Sequence, residues 1–223
     1  MAHKIFPVES SDIPWLVRHC DYPAMRENPL TIAMFPNSNP KTEEEEIMWH
    51  TGGLQDSFHS ASESSWIKVC NDKMEPVGFA IWFLGKPFPA VRTTDAKRDE
   101  AEGVKAPTTL DGHAWRTMSD DLRLEKDRVL NDRPDVCRLT MLSVNPDYQR
   151  QGYGTSLVGW GCRQADRAHR TIFVMASPAA VGFYEKFGFK TQGQVWTCHG
   201  TFKSMLREPE ECDHHLNNFV SSK

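Results

Sequence analysis

The stretch VCRLTMLSVNPDYQRQGYGTSL, residues 136–157, decides how this chain is read. As far as Val144 it mixes apolar and β-branched side chains over the length of a strand. Asn145, Pro146 and Asp147 then end the strand, because proline lacks the N–H a ladder needs and Asn and Asp favour turns. From Gly152 onward, Leu157, Val158, Trp160 and Gly161 recur at helical spacing. The unit is strand, glycine-bearing turn, helix. Such a turn leaves backbone N–H groups at a helix N-terminus with no carbonyl inside the helix to take them, which suits a phosphate. Gly152 and Gly154 let a ligand approach the main chain closely. The spacing excludes two common nucleotide loops: there is no Gly-Lys-Ser/Thr, and Leu157 stands where a dinucleotide fingerprint has its third glycine.

A second segment lies downstream: SPAAVGFYEKFGF, residues 177–189. Read locally, it is a helix opened by Pro178, with an aromatic core face and a glycine C-cap. The spacing Gln149-x-x-Gly152-x-Gly154 resembles the Q/R-x-x-G-x-G/A acetyl-CoA loop of the GNAT N-acetyltransferase superfamily. The second segment is similar to that family's A-x-x-F-Y-x-x-x-G-F signature, with Ala180, Phe183, Tyr184, Gly188 and Phe189 in register. The two occur in the family's order, separated by a helix and a strand. The resemblance covers residues 136–189 and implies an α/β (α+β) GNAT fold, a mixed, splayed β-sheet flanked by helices. The activity it implies is acetyl-CoA-dependent N-acetyl transfer to the primary amine of a small molecule or peptide. A catalytically silent acyl-CoA-binding regulatory domain of the same fold is the alternative.

The resemblance also assigns roles. Main-chain N–H groups of Gln149, Arg150, Gln151, Gly152, Tyr153, Gly154 and Thr155 would hold the pyrophosphate, with the Arg150 side chain adding a charge-assisted bond. At the edge of the cofactor strand, Leu142, Ser143 and Val144 would face the pantetheine arm, and backbone groups of Leu142 and Val144 would pair with it and polarise the acetyl carbonyl. Ser177 stands where a polar residue touches the pantetheine, and Ala180 and Phe183 would pack on the cofactor. Tyr184 would be the acid: a phenol with a pKa of about 10 is protonated at neutral pH and can pass its proton to a departing thiolate. Its plain reading is an aromatic that completes the core.

The base has no such assignment. Histone acetyltransferases of the superfamily carry a glutamate that would fall at Arg138, and arylalkylamine acetyltransferases carry histidines that would fall at Arg138 and Thr140. An arginine stays protonated and cannot serve. Asp120, Asp121, Glu125 and His113 are other sources of a base, or the amine arrives neutral. Arg138 and Thr140 are candidate acceptor contacts, Arg138 for a carboxylate or phosphate, or simply a strand-face arginine in solvent.

The 223 residues suit one domain, 1–206, with an insertion at about 86–132 and a tail at 207–223. A net charge of -4 with mixed signs leaves no basic stripe for nucleic acid. No apolar run reaches membrane-spanning length and residues 1–10 lack the apolar core of a signal peptide, so a cytoplasmic location is expected. The 6 cysteines form no C-x-x-C pair and read as free thiols. No metal site is expected; Cys212, His214 and His215 lie in a polar tail whose adjacent side chains diverge. The partner is the amine acceptor, and the chain is a monomer or homodimer.

In chain order, a strand at 3–8 precedes a helix capped by residues 10–12 and running to Tyr22-Pro23. Residues 28–40 read as an irregular, proline-rich stretch, a candidate substrate loop or a surface loop held by its apolar residues. Thr42 caps a helix whose first turn holds Glu43 to Glu46, as the helix dipole favours. Strands at 65–70 and 77–84 form a hairpin. Residues 86–112 read as a solvated insertion and 113–131 as a helix. After the cofactor unit come a parallel strand at 171–175 and two last strands at 191–198 and 201–206.

Overall fold

The computed structural model describes residues 3–60, 64–84, 105–131, 133 and 135–210. Seven strands form one sheet: β1 (Ile5–Pro7), β2 (Ser64–Cys70), β3 (Pro76–Phe83), β4 (Cys137–Val144), β5 (Ile172–Ala176), β6 (Lys190–Thr197) and β7 (Gly200–Arg207). Their spatial order is β1-β2-β3-β4-β5-β7-β6. β4 and β5 pair in parallel, and the other neighbours are antiparallel. The expected mixed, splayed sheet is therefore present. The parallel pairing is short: Cys137, Arg138 and Leu139 face Ile172, Phe173 and Val174, and there it stops, although β4 continues to Val144. Across β3, Ile81 pairs with Met141 and Trp82 with Leu139, so Thr140 is an extra residue, a bulge that bends β4 as it leaves β5.

One face of the sheet is covered by α6 (Tyr153–Arg167) and α7 (Val181–Glu185). Their core includes Trp82, Leu157, Val158, Ile172, Val174 and Met205. Leu157 and Val158 are fully buried, each contributing about 1.5–3 kcal/mol by leaving water. Gly161 lets α6 lie flat on β3, since a Cβ there would sit 2.2 Å from the ring of Trp82.

The other face carries two groups of helices. Over β2, β3 and the end of β4 lie α1 (Ile13–Leu16), α2 (Tyr22–Met25) and α4 (Glu43–Ser60), packed on Trp66, Phe79, Ile81 and Met141. Over β5, β7 and β6 lie α3 (Pro29–Met34) and α5 (Gly112–Leu130), which meet Phe173, Met175, Phe202 and Leu206. The Asp111 carboxylate caps α5 by accepting from the N–H groups of His113 and Ala114.

Two local expectations are corrected. The first helix does not end at Tyr22-Pro23 but runs to Met25, through a π-helical turn at Val17–Asp21. The wider turn accommodates the missing N–H and the ring of Pro23. Residues 28–40 are not wholly irregular, because Pro29 starts a helix whose Leu30 N–H donates to the Asn28 side chain. Residues 207–210 are tied to α6 and to the segment after α7. Arg207 is buried, its guanidinium bonded to both Asp166 oxygens and to the Phe187 carbonyl, and the Glu210 N–H donates to Asp166. Residues 85–104, most of the charged insertion, and 211–223, including Cys212, His214 and His215, lie outside the described residues. Cys20, Cys70, Cys137, Cys162 and Cys198 are free thiols. Among the described residues, no helix is long and apolar enough to cross a membrane.

Candidate active site

Where β4 leaves β5, the sheet opens into a V. The Asn145 N–H donates to Val77 O on the β3 side, so strand alternation turns the backbone groups of Leu142 and Val144 the other way, into the gap. Gln149 Nε2 donates to the Val144 carbonyl at 3.1 Å, so the N–H of Val144 and both groups of Leu142 are what the strand offers there. Thr140 is exposed in the middle of the sheet, its hydroxyl donating to Ile81 O across the bulge, while Met141 and Met175 are half-buried nearby.

The loop at the wide end of the V is tightly built. The Asn145 side chain accepts from the Asp147 N–H, and Gln151 Nε2 donates to Asp147 O. Arg150 has φ 61° and Gly152 φ 91°, both left-handed. This conformation costs a non-glycine residue about 1–2 kcal/mol and turns successive N–H groups to one side. Gly152 is the N-cap of α6, which leaves the N–H groups of Tyr153, Gly154 and Thr155 without an intrahelical acceptor. From behind, His3 braces the loop: its ring stacks on Tyr153 at 3.9 Å, its Nε2 lies 3.1 Å from Gln151 O, and its N–H donates to Ser156. The Tyr153 side chain is buried in the core and presents only its backbone, whereas Gln149, Arg150, Gln151 and Thr155 are exposed.

The second signature lies across the gap. Ser177 precedes the turn Pro178–Ala180, and Ala180 and Phe183 are partly buried against the α6 core. A Cβ on Gly154 would meet Phe183 Cζ at 3.6 Å and Val144 Cγ2 at 3.7 Å, so the loop, the end of β4 and α7 converge at the mouth of the V. Tyr184 is 5 % exposed and packs on Phe183 and Phe189. Its hydroxyl makes no hydrogen bond among the described residues, and burial holds the phenol far above its ordinary pKa.

Ser143 is on β4 but its side chain points to the helical face, where the hydroxyl donates to Asp21 Oδ1 at 2.7 Å. Of the other sources of a base, Glu125 is bonded to Arg128 and Ser204, and the Arg128 guanidinium pulls its carboxyl below the usual range. Asp120 is paired with Arg123 in solvent, and Asp121 and His113 are exposed on α5.

The sequence reading missed the polar interior of the helical wall. Asp21 is buried, and its carboxyl is pushed up by burial, an effect partly offset by His50, whose Nδ1 is 3.9 Å from Asp21 Oδ2, and by Ser143. Glu46, 1 % exposed, accepts from four hydroxyls: Tyr22 and Ser38 at 2.8 Å, Thr109 at 2.7 Å and Thr42 at 3.3 Å. Its signal was spacing, since Glu46 and His50 share a helix face with the buried Ile47 and Leu54. Trp49 of α4 meets Trp115 of α5 edge to face at 5.4 Å, joining the two helical groups.

Residues 128–201 match the family described as the acetyltransferase (GNAT) domain, which takes in β4, the loop, α6, β5, α7 and β6. Among solved structures, a histone acetyltransferase HPA2 and related acetyltransferase from Corynebacterium glutamicum aligns at a TM-score of 0.61 and 17% identity, over 96% of this chain and 99% of that one. Arylalkylamine N-acetyltransferase 2 from Aedes aegypti gives 0.59 and 13%, over 93% and 99%. A phosphinothricin acetyltransferase from Sinorhizobium meliloti in complex with AcCoA gives 0.52 and 11%, over 99% and 98%. No curated protein matches the sequence. At these identities the structural likenesses establish the fold. The family match covers the segment from the end of α5 to the start of β7, and it is that segment which is similar to the acetyltransferase (GNAT) domain.

Proposed function

We propose that the chain is an acetyl-CoA-dependent N-acetyltransferase acting on the primary amine of a small molecule or peptide. The observation that carries this reading is the convergence of three parts on one gap. These are the unpaired edge of β4 at Leu142 and Val144, the N–H cradle at residues 149–155, and α7, whose Phe183 stands at contact distance from Gly154 and packs on the buried Tyr184. Together they supply what acyl transfer from a thioester requires. The cradle and the Arg150 side chain hold the pyrophosphate, each backbone dipole contributing about 0.3–1 kcal/mol. Backbone N–H groups on β4 polarise the acetyl carbonyl as the amine nitrogen attacks it, and stabilise the oxyanion that forms. As the carbon–sulfur bond breaks, Tyr184 gives its proton to the departing thiolate, and the proton lost from nitrogen leaves through solvent.

The silent acyl-CoA-binding alternative is favoured by one observation: β4 carries Arg138 and Thr140 where a base would be expected, and neither can accept the amine proton. Mass spectrometry of acetyl-CoA incubated with the protein and a panel of amines separates the two readings. Acetylated amine with free CoA supports the enzyme. Binding of acetyl-CoA without turnover on any amine supports the silent domain.

A further inference from the structure

Arg138 lies at the closed end of the V, on the sheet face that carries α4 and α5. It pairs with Phe83 of β3 on one side and Phe173 of β5 on the other, in the last stretch before the strands part. Its guanidinium carbon sits 4.4 Å above the Phe83 ring. The side chain is half-buried and makes no hydrogen bond or ion pair with any described residue. Asp127 of α5 acts on it through space without reaching it, being 63% exposed and 3.5 Å from Lys126. Burial accordingly pulls the guanidinium below its ordinary pKa, and Asp127 only partly restores it.

A guanidinium taken out of water without a carboxylate partner costs folding free energy, and the aromatic face beneath it offsets only part of that cost. Its five donors are fixed in a plane that fits a carboxylate or phosphate. Two residues along the same strand, Thr140 is exposed, so the strand between Arg138 and Leu142 is not wholly covered. At about 3.3 Å per residue, Arg138 is on the order of 10 Å from the Leu142 backbone, where the amine would react.

We infer that Arg138 is the specificity-determining residue of the acceptor site, and that the acceptor is an amine carrying a carboxylate or phosphate several bonds from its nitrogen. The inference rests on the transferase reading for the placement of the amine. The guanidinium acts by binding and not by chemistry, so it governs acceptor affinity and choice.

The test uses acceptors in pairs matched for the amine: β-alanine, γ-aminobutyrate, ε-aminocaproate and phosphoethanolamine, each beside the amide or alcohol that lacks the anion. The N-acetylated form of each is titrated calorimetrically into the CoA-bound protein, so the readout does not depend on turnover. For at least one pair, the anionic member should bind the wild type about 10–100-fold more tightly, the range expected for a charge-assisted hydrogen bond. Arg138→Gln should abolish that preference, Arg138→Lys should keep part of it, and the acetyl-CoA affinity of each variant reports an intact fold. Equal binding within every pair, no binding of any probe, or a preference that survives in Arg138→Gln overturns the inference. An Arg138-dependent preference without turnover on any amine leaves the inference standing and removes the transferase reading. Turnover of charged and neutral amines alike does the reverse.

Discussion

Ser143 Oγ donates to Asp21 Oδ1 at 2.7 Å, tying the free-edged part of β4 to the π-helical turn of the N-terminal helix. Both residues are buried. Because burial raises the Asp21 carboxyl above its unfolded value of about 3.9, the folded state holds this proton more tightly than the unfolded one. Protonation therefore favours folding. The cost of the charge is absent below the unfolded pKa and fully present once the pH has risen through the folded one.

Asp21→Asn should thus be at least as stable as the wild type at neutral pH, since its carbonyl still accepts from Ser143 and the buried charge is gone. The difference in melting temperature should close as the pH falls towards about 4. A variant that melts lower at neutral pH, with the gap shrinking in acid, would show instead that the charge is stabilised by its neighbours.

Glu46 is a second buried acid, whose hydroxyl donors come from α2, the α3–α4 connection and the segment leading into α5. Glu46→Ala should destabilise the protein by about 2–4 kcal/mol, as several hydroxyls lose their acceptor at once. Denaturant melts of wild type, Glu46→Ala and Thr109→Val measure this, with Thr109→Val expected to lose roughly 1 kcal/mol. A Glu46→Ala protein of wild-type stability would mean that water replaces the carboxylate.

At the mouth of the V, Gly154 has ordinary contact room for a Cβ but not for more, since Phe183 and Val144 already stand at contact distance. Gly154→Val, whose Cγ atoms must displace Phe183 or Val144, should lower the melting temperature of the free protein and lose its stabilisation by acetyl-CoA, whereas Gly154→Ala should keep the melting temperature. Retained thermal stabilisation by acetyl-CoA would remove this loop from the binding site.

Tyr184→Phe should keep the core packing and lower kcat by about 10²–10⁴, the usual contribution of a general acid, with little change in acetyl-CoA affinity. Because burial holds the phenol well above its ordinary value, the wild-type rate should show no phenolic limb below pH of about 10. Single-turnover rates settle the assignment: a variant with wild-type chemistry returns Tyr184 to the core.

The segment around the cofactor loop was legible in the sequence because its signals are local. Pro146 stops a strand, Gly152 takes a left-handed turn, and the apolar spacing of Leu157 and Val158 marks the buried face of a helix. The wall opposite was not. Asp21 and Glu46 are acidic residues in helices, and residues of that kind usually face water. Partners such as Tyr22 for Glu46 and Ser143 for Asp21, 24 and 122 residues away, help turn them inward. The π-helical turn before Pro23 was hidden for a different reason, since a proline after a helical run reads as a stop. Arg138 could be placed on its strand, but that it makes no ion pair with any described residue depends on α5, β3 and β5 together.

The three residue pairs between β4 and β5 also have a mechanical meaning. They are the only sheet rungs, among the described residues, that join the four-stranded slab β1-β2-β3-β4 to the three-stranded slab β5-β7-β6. A joint so short resists sliding but offers little leverage against opening, so the angle between the slabs is set by whatever bridges their far ends. Trp49 against Trp115 is one such bridge on the helical face. A molecule seated in the gap is another, and it would convert a hinge into a strut.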